Sequence, residues 1–137
     1  MSDVVAALRG EPASVFREAA RWLREHQWVQ GRYGILANGQ DFEPDDYNPF
    51  NDVDCACVIG AMALVSRTET ASADLTDAVE ILAKSLGYEE TDSDIVPLNL
   101  QERWERVMGY VSIWNDEKGR ALGEVLRALS EAARQLQ

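Results

Sequence analysis

Apolar positions recur with a helical period over most of this chain. Val15, Phe16, Ala19, Ala20, Trp22, Leu23 and His26 form one stripe, and Arg17, Glu18, Arg21, Arg24 and Glu25 lie on the opposite side. That pattern predicts an amphipathic helix ending near His26 or Gln27. Glu11-Pro12-Ala13-Ser14 opens it, since proline fits a first turn where no N–H is needed. A short helix over 4–9, ended by Gly10, precedes it. Leu75, Ala78, Val79, Leu82 and Leu86 predict a helix over 74–86, closed by Gly87. Trp104, Val107, Met108, Val111 and Trp114 predict one from about 98 to 114. The last, from about 121 to 135, has the cleanest stripe, through Leu122, Val125, Leu126, Leu129, Ala132, Ala133 and Leu136.

Two segments depart from this rhythm. From Cys55 to Val65 nearly every residue is apolar, which predicts the most buried helix, starting near Asp52 or Asp54 as N-cap. Gly60 and Ala61 are small enough to let a neighbouring helix come close. From 28 to 40, Gly31, Gly34 and Gly39 interrupt Tyr33, Ile35 and Leu36; Asn38-Gly39 is a hairpin-turn signal, so this stretch reads as loop or a short β-hairpin. Acidic loops follow over 41–54 and 88–97. The fold class expected is mainly α: a compact single-domain bundle (1–137) of five to six helices around a buried central helix, with room for one short hairpin. A chain of this length buries about two-thirds of its unfolded surface and needs no staple.

Charge changes the picture of partners. There are 24 acidic residues against 13 Lys and Arg and one His, a formal net charge of -11. Such a chain repels phosphate backbones and anionic membrane surfaces, so no nucleic-acid or membrane partner is expected. Acidity serves solubility, and it also suits a basic patch on a protein partner. No apolar run reaches the ~20 residues of a membrane span. The first residues lack the basic start and apolar core of a signal peptide, so the cytoplasm is the expected compartment. Two cysteines one residue apart make no disulfide framework there.

The residues able to carry chemistry are few. Cys55 and Cys57 fall at or near a helix N-terminus, where the macrodipole favours a thiolate. Asp52 and Asp54 oppose that, and cysteine is also a common small core residue. Cys57 with His26 as base, oriented by Asn115 or Asp116, would satisfy the logic of an activated thiol. The plainer reading has His26 packed at a helix end or capping a carbonyl there, and lets Asn115 and Asp116 of Trp114-Asn115-Asp116 terminate a helix through local hydrogen bonds. One His and a Cys-x-Cys pair do not make a zinc site. The acidic loop lacks the glycine and terminal glutamate of an EF-hand. No phosphate-binding fingerprint and no serine elbow are present. No metal and no cofactor are expected.

Three motifs occur in order: Trp28-Val29-Gln30-Gly31, then Cys57-Val58-Ile59-Gly60-Ala61, then Trp114-Asn115-Asp116 before a helix holding Glu124-Val125-Leu126 and Ala132-Ala133. From about residue 19 onward the chain resembles a family of small uncharacterised proteins of actinobacteria and their bacteriophages. The resemblance implies a helical core and a phage- or prophage-type accessory protein, and carries over no activity. Cys55 and the acidic loop before it depart from the pattern.

Two functional expectations follow. The first is a non-enzymatic accessory protein that binds a host protein through acidic and aromatic positions: Asp41, Glu43, Asp45, Asp46, Trp28 and Tyr33. The alternative is a thiol-dependent enzyme using Cys57, His26, Asn115 and Asp116. Between them stands a small-molecule binder with a pocket lined by Trp28, Tyr33, Trp104 and Trp114.

Overall fold

The computed structural model describes residues 3–44, 52–69, 72–89 and 99–136. Among the described residues six helices, holding 62% of them, accompany a small three-stranded sheet. In chain order these are α1 (Asp3–Leu8), α2 (Pro12–Glu25), β1 (Gln27–Trp28), β2 (Gly34–Leu36), β3 (Val53–Ala56), α3 (Val58–Ser66), α4 (Ala73–Ser85), α5 (Leu100–Asp116) and α6 (Leu122–Arg134).

The amphipathic helices sit where their stripes place them. α2 begins at Pro12 and buries Val15, Phe16, Ala19, Ala20 and Leu23. It packs on α6, whose Val125, Leu129, Ala132 and Ala133 are buried, and on α3. Asp3 of α1 pairs with Arg17 of α2 at 2.9 Å. α4 starts at Ser72, whose Oγ accepts from the Leu75 N–H at 3.3 Å. It stops at Gly87, which takes φ +109° and lets the Tyr88 N–H reach the Ala83 carbonyl at 2.9 Å. Only a residue tolerant of positive φ closes a helix this way. α5 lies along α4, with the Arg103 guanidinium on Asp77 and Glu80.

The segment 53–57 differs from the expectation. It is not the start of a helix: Val53–Ala56 is a strand, and α3 starts only at Val58. Val53 and Cys55 are buried while Asp54 between them is exposed, a period of two that a strand satisfies and a helix does not. Asp52 and Asp54 therefore cap nothing; Cys57 is the N-cap, and its Sγ accepts from the Gly60 N–H at 3.3 Å. From there α3 is buried at every position but Val65, and it ends at Arg67 in the left-handed region, φ 53°.

β3 is the middle strand, with the order β1-β3-β2. β1 runs parallel to it, pairing Gln27 with Cys55 and Trp28 with Ala56. β2 runs antiparallel, pairing Gly34 with Ala56 and Ile35 with Cys55, with an irregularity before Leu36 meets Val53. The hairpin signal at Asn38-Gly39 is met in part. The chain reverses there, and Ile35 bridges to Asp41, but β2 takes its main partner from 53–56. Gly60 admits backbone, not a neighbouring helix: a Cβ there would lie 2.0 Å from the Tyr33 carbonyl oxygen. That same oxygen accepts from the Cys57 N–H at 2.9 Å.

Candidate functional site

Cys57, Val58 and Ile59 form the floor of a cleft of about 400 Å³. α5 supplies one wall through Met108, Ser112, Asn115 and Asp116. Their i, i+4, i+7 and i+8 spacing puts them on one side of that helix. Gly31, Arg32 and Tyr33, between β1 and β2, supply a second wall, and Asp41 and Glu43 complete the rim.

Asn115 ties these parts together. It is 1% exposed. Its Oδ1 accepts from Trp28 Nε1 at 2.8 Å and from the Val58 N–H at 3.1 Å. Its Nδ2 donates to the Val29 carbonyl at 3.3 Å and to Asp116 Oδ1 at 2.9 Å. A side-chain amide has two donors and two acceptor sites, so this one is fully used. Asp116 Oδ1 also accepts from the Gly31 N–H at 2.9 Å. Gln30 Nε2 donates to the backbone carbonyls of Asn115 and Glu117. The Trp-Asn-Asp motif is thus a latch that fixes the loop after β1 and the first turn of α3 to the end of α5.

The chemistry at Cys57 follows from its surroundings. The residue is 7% exposed. Burial pushes its thiol up to about 11; the Gly60 and Ile59 N–H groups act the other way, and the Asp116 charge adds to the rise. Burial raises the Cys55 thiol as well. At neutral pH both sulfurs are protonated and poorly nucleophilic.

Of the catalytic set, the cleft collects Cys57, Asn115 and Asp116 and leaves out His26. His26 is exposed. Its Nδ1 lies 2.9 Å from the Trp22 carbonyl, and its ring stacks on Trp22 with centroids 4.1 Å apart. The imidazole serves the end of α2. Of the binding set, Tyr33, Asp41 and Glu43 line the cleft, while Trp28 braces its wall from behind through the bond to Asn115. Asp45 and Asp46 lie outside the described residues, as does most of the acidic segment 88–97. The four-aromatic pocket does not form: Trp104 is buried in the core, and Trp114 lies under the Arg120 guanidinium, 4.1 Å from its ring centre.

Arg32 and Ser112 are the cleft residues missed in the sequence. Ser112 had a signal, since it stands four positions before Asp116 on the same helix. Arg32 had none; its place comes from the loop, where its Nη1 meets Asp41 Oδ1 at 2.9 Å. Among the described residues no group of three or more His, Cys, Asp or Glu is placed to hold a metal ion, and no helix is long and apolar enough to cross a membrane.

Fold and cleft together define a small, mostly helical protein whose surface opening lies at the seam between a minimal sheet and two helices. The chain belongs to the family of unknown function DUF6197, whose model matches residues 7–135. No curated protein and no solved structure matches it.

Proposed function

We propose that this is a non-enzymatic accessory protein that acts by binding a protein partner, with the cleft over α3 at the centre of the contact. The observation that carries the reading is the cleft itself: its charged groups among the described residues are Arg32, Asp41, Glu43 and Asp116, and its one thiol has no imidazole beside it. An enzyme of the thiol class needs a thiolate at neutral pH and a group to take the proton. Here the thiol is held protonated, the imidazole stands elsewhere, and the amide meant to orient it is committed to three backbone and side-chain partners and to Asp116. The net charge of -11 gives the whole surface an attraction for a basic partner. The phage or prophage setting and the cytoplasm belong to the same reading, through the motif resemblance and the acidity.

Affinity capture from extracts of the native cells tests it. The expected result is enrichment of a basic protein at low salt, with retention falling at moderate salt as the charges are screened. Recovery of nothing above background at either salt overturns the reading.

A further inference from the structure

We propose that two copies of this chain meet across α1 and the adjoining face of α2, each burying the aliphatic side chains of its α1 against the other. That face shares no residue with the cleft, and the contact does not depend on the binding function proposed above.

α1 is packed with its small residues inward and its large ones outward. Ala6 and Ala7 are its buried residues, and it lies against α2 and α3. Val4, Val5 and Leu8 are 48, 40 and 46% exposed. They are three of the six large aliphatic side chains exposed among the described residues, gathered on one helix of six residues. A helix this short does not hold itself in water; the packing of an apolar side has to do so. Two alanines bury little area, so the larger side chains are the ones whose covering would anchor it. Val4 and Leu8 stand one turn apart on one side of the helix.

Charge selects the occupant. Val4 shares a depression with Asp3, Arg17, Glu18, Arg21 and Arg24. Arg21 also reaches Glu25. Three cations thus stand against three carboxylates, on a chain whose net charge is -11. Two copies repel through the rest of their charge, and a balanced face lets them approach. A two-fold arrangement brings the same patch to itself, aliphatic on aliphatic, and sets arginines of one copy beside carboxylates of the other. The arginines have capacity for this. Arg24 makes no hydrogen bond or ion pair among the described residues, and Arg21 meets Glu18 and Glu25 only at 3.5 and 3.4 Å. An anionic membrane needs a cationic face, which the balance of charge denies it. A basic partner is held off by the same arginines.

Sedimentation velocity of the full chain tests the contact, over about 1 to 300 μM so that mass action can populate a dimer. The mass is expected to climb from 15.3 kDa toward twice that value. Association should strengthen between low salt and about 0.15 M, because screening relieves the repulsion between copies. Val4→Gln/Leu8→Gln removes the aliphatic contact while keeping a good helix former, and should weaken the dimer at least about tenfold. Ile113→Gln removes an exposed aliphatic side chain from α5 and should leave the dimer unchanged. Should the double variant lose α1, the wild type alone still decides: on dilution, amide NMR shifts should change along α1 and at Arg17, Arg21 and Arg24, and stay constant around the cleft. A monomer at every concentration overturns the proposal. So does a dimer that the double variant leaves intact, one that Ile113→Gln weakens as much, or dilution shifts lying outside α1 and α2. Binding to phosphatidylglycerol vesicles by a chain that stays monomeric in solution puts a membrane on this face instead, and overturns it as well.

Discussion

At the scale of single residues, three side chains set the character of the cleft. Cys57 caps α3, and burial holds its thiol protonated at neutral pH. Native protein should react with a thiol reagent at neutral pH far more slowly than unfolded protein does. The sign of its effect on stability is fixed by the direction of the shift. A thiol held protonated in the fold, about 11 against an ordinary 9.0, favours the native state at pH values below 9. That advantage disappears as pH rises from about 9 to 11, because only the unfolded chain releases the proton. Denaturation of wild type should therefore lose about 3 kcal/mol more over that range than Cys57→Ser, which still caps Gly60 but does not titrate. Asn115→Ala strands the Trp28 indole N–H and the Val58 N–H and should cost about 3 kcal/mol in urea denaturation. Thr76 supplies a contrast. Its Oγ1 is buried without a partner, so Thr76→Val should be neutral or stabilising by about 1 kcal/mol.

At the scale of elements, the helices were legible and the sheet was not. Helices α2, α4 and α6 followed directly from stripes such as Val125, Leu129 and Ala132, and the end of α4 from Gly87. Local spacing and local caps decide such elements. β3 is only Val53–Ala56, and its apolar residues run straight into those of α3, so its period of two is hidden by the run that follows. Its aspartates imitate helix caps. Its pairing partners lie about twenty or more positions upstream, and no local pattern announces them. The cleft was half legible for the same reason: Cys57, Asn115, Asp116, Tyr33, Asp41 and Glu43 could be named, but the bonds joining them cross most of the chain. Glycines expose the same divide. Gly60→Ala would drive a Cβ to 2.0 Å from the Tyr33 oxygen, prising β2 from α3, and should cost about 3 kcal/mol or more. Gly109→Ala in α5 meets nothing within 4 Å and should stabilise by about 0.5–1 kcal/mol, since the helix gains and no neighbour yields. Paired melting curves of the two variants check this.

At the scale of the whole molecule, charge dominates. The ion pairs are mostly exposed, such as Arg21 with Glu25 and Arg32 with Asp41, and pairs of that kind add little. The surplus of carboxylates outweighs them. Screening should relieve that repulsion, so the midpoint of thermal unfolding should rise between low salt and about 0.15 M. A midpoint that falls instead would show that the ion pairs govern. Solubility should be least near pH 4.4, where the sequence is isoelectric.

The bond from Trp28 to Asn115 spans 87 positions. Trp28 and the start of α3 thus wait for an amide that a ribosome delivers 87 and 57 positions after them. A nascent chain paused short of that asparagine would hold its loop unmoored and the cysteine-capped helix uncovered. The opening on this protein is consequently complete only once α5 has been made, and the tryptophan's indole proton, once sheltered from exchange, marks the moment of its completion.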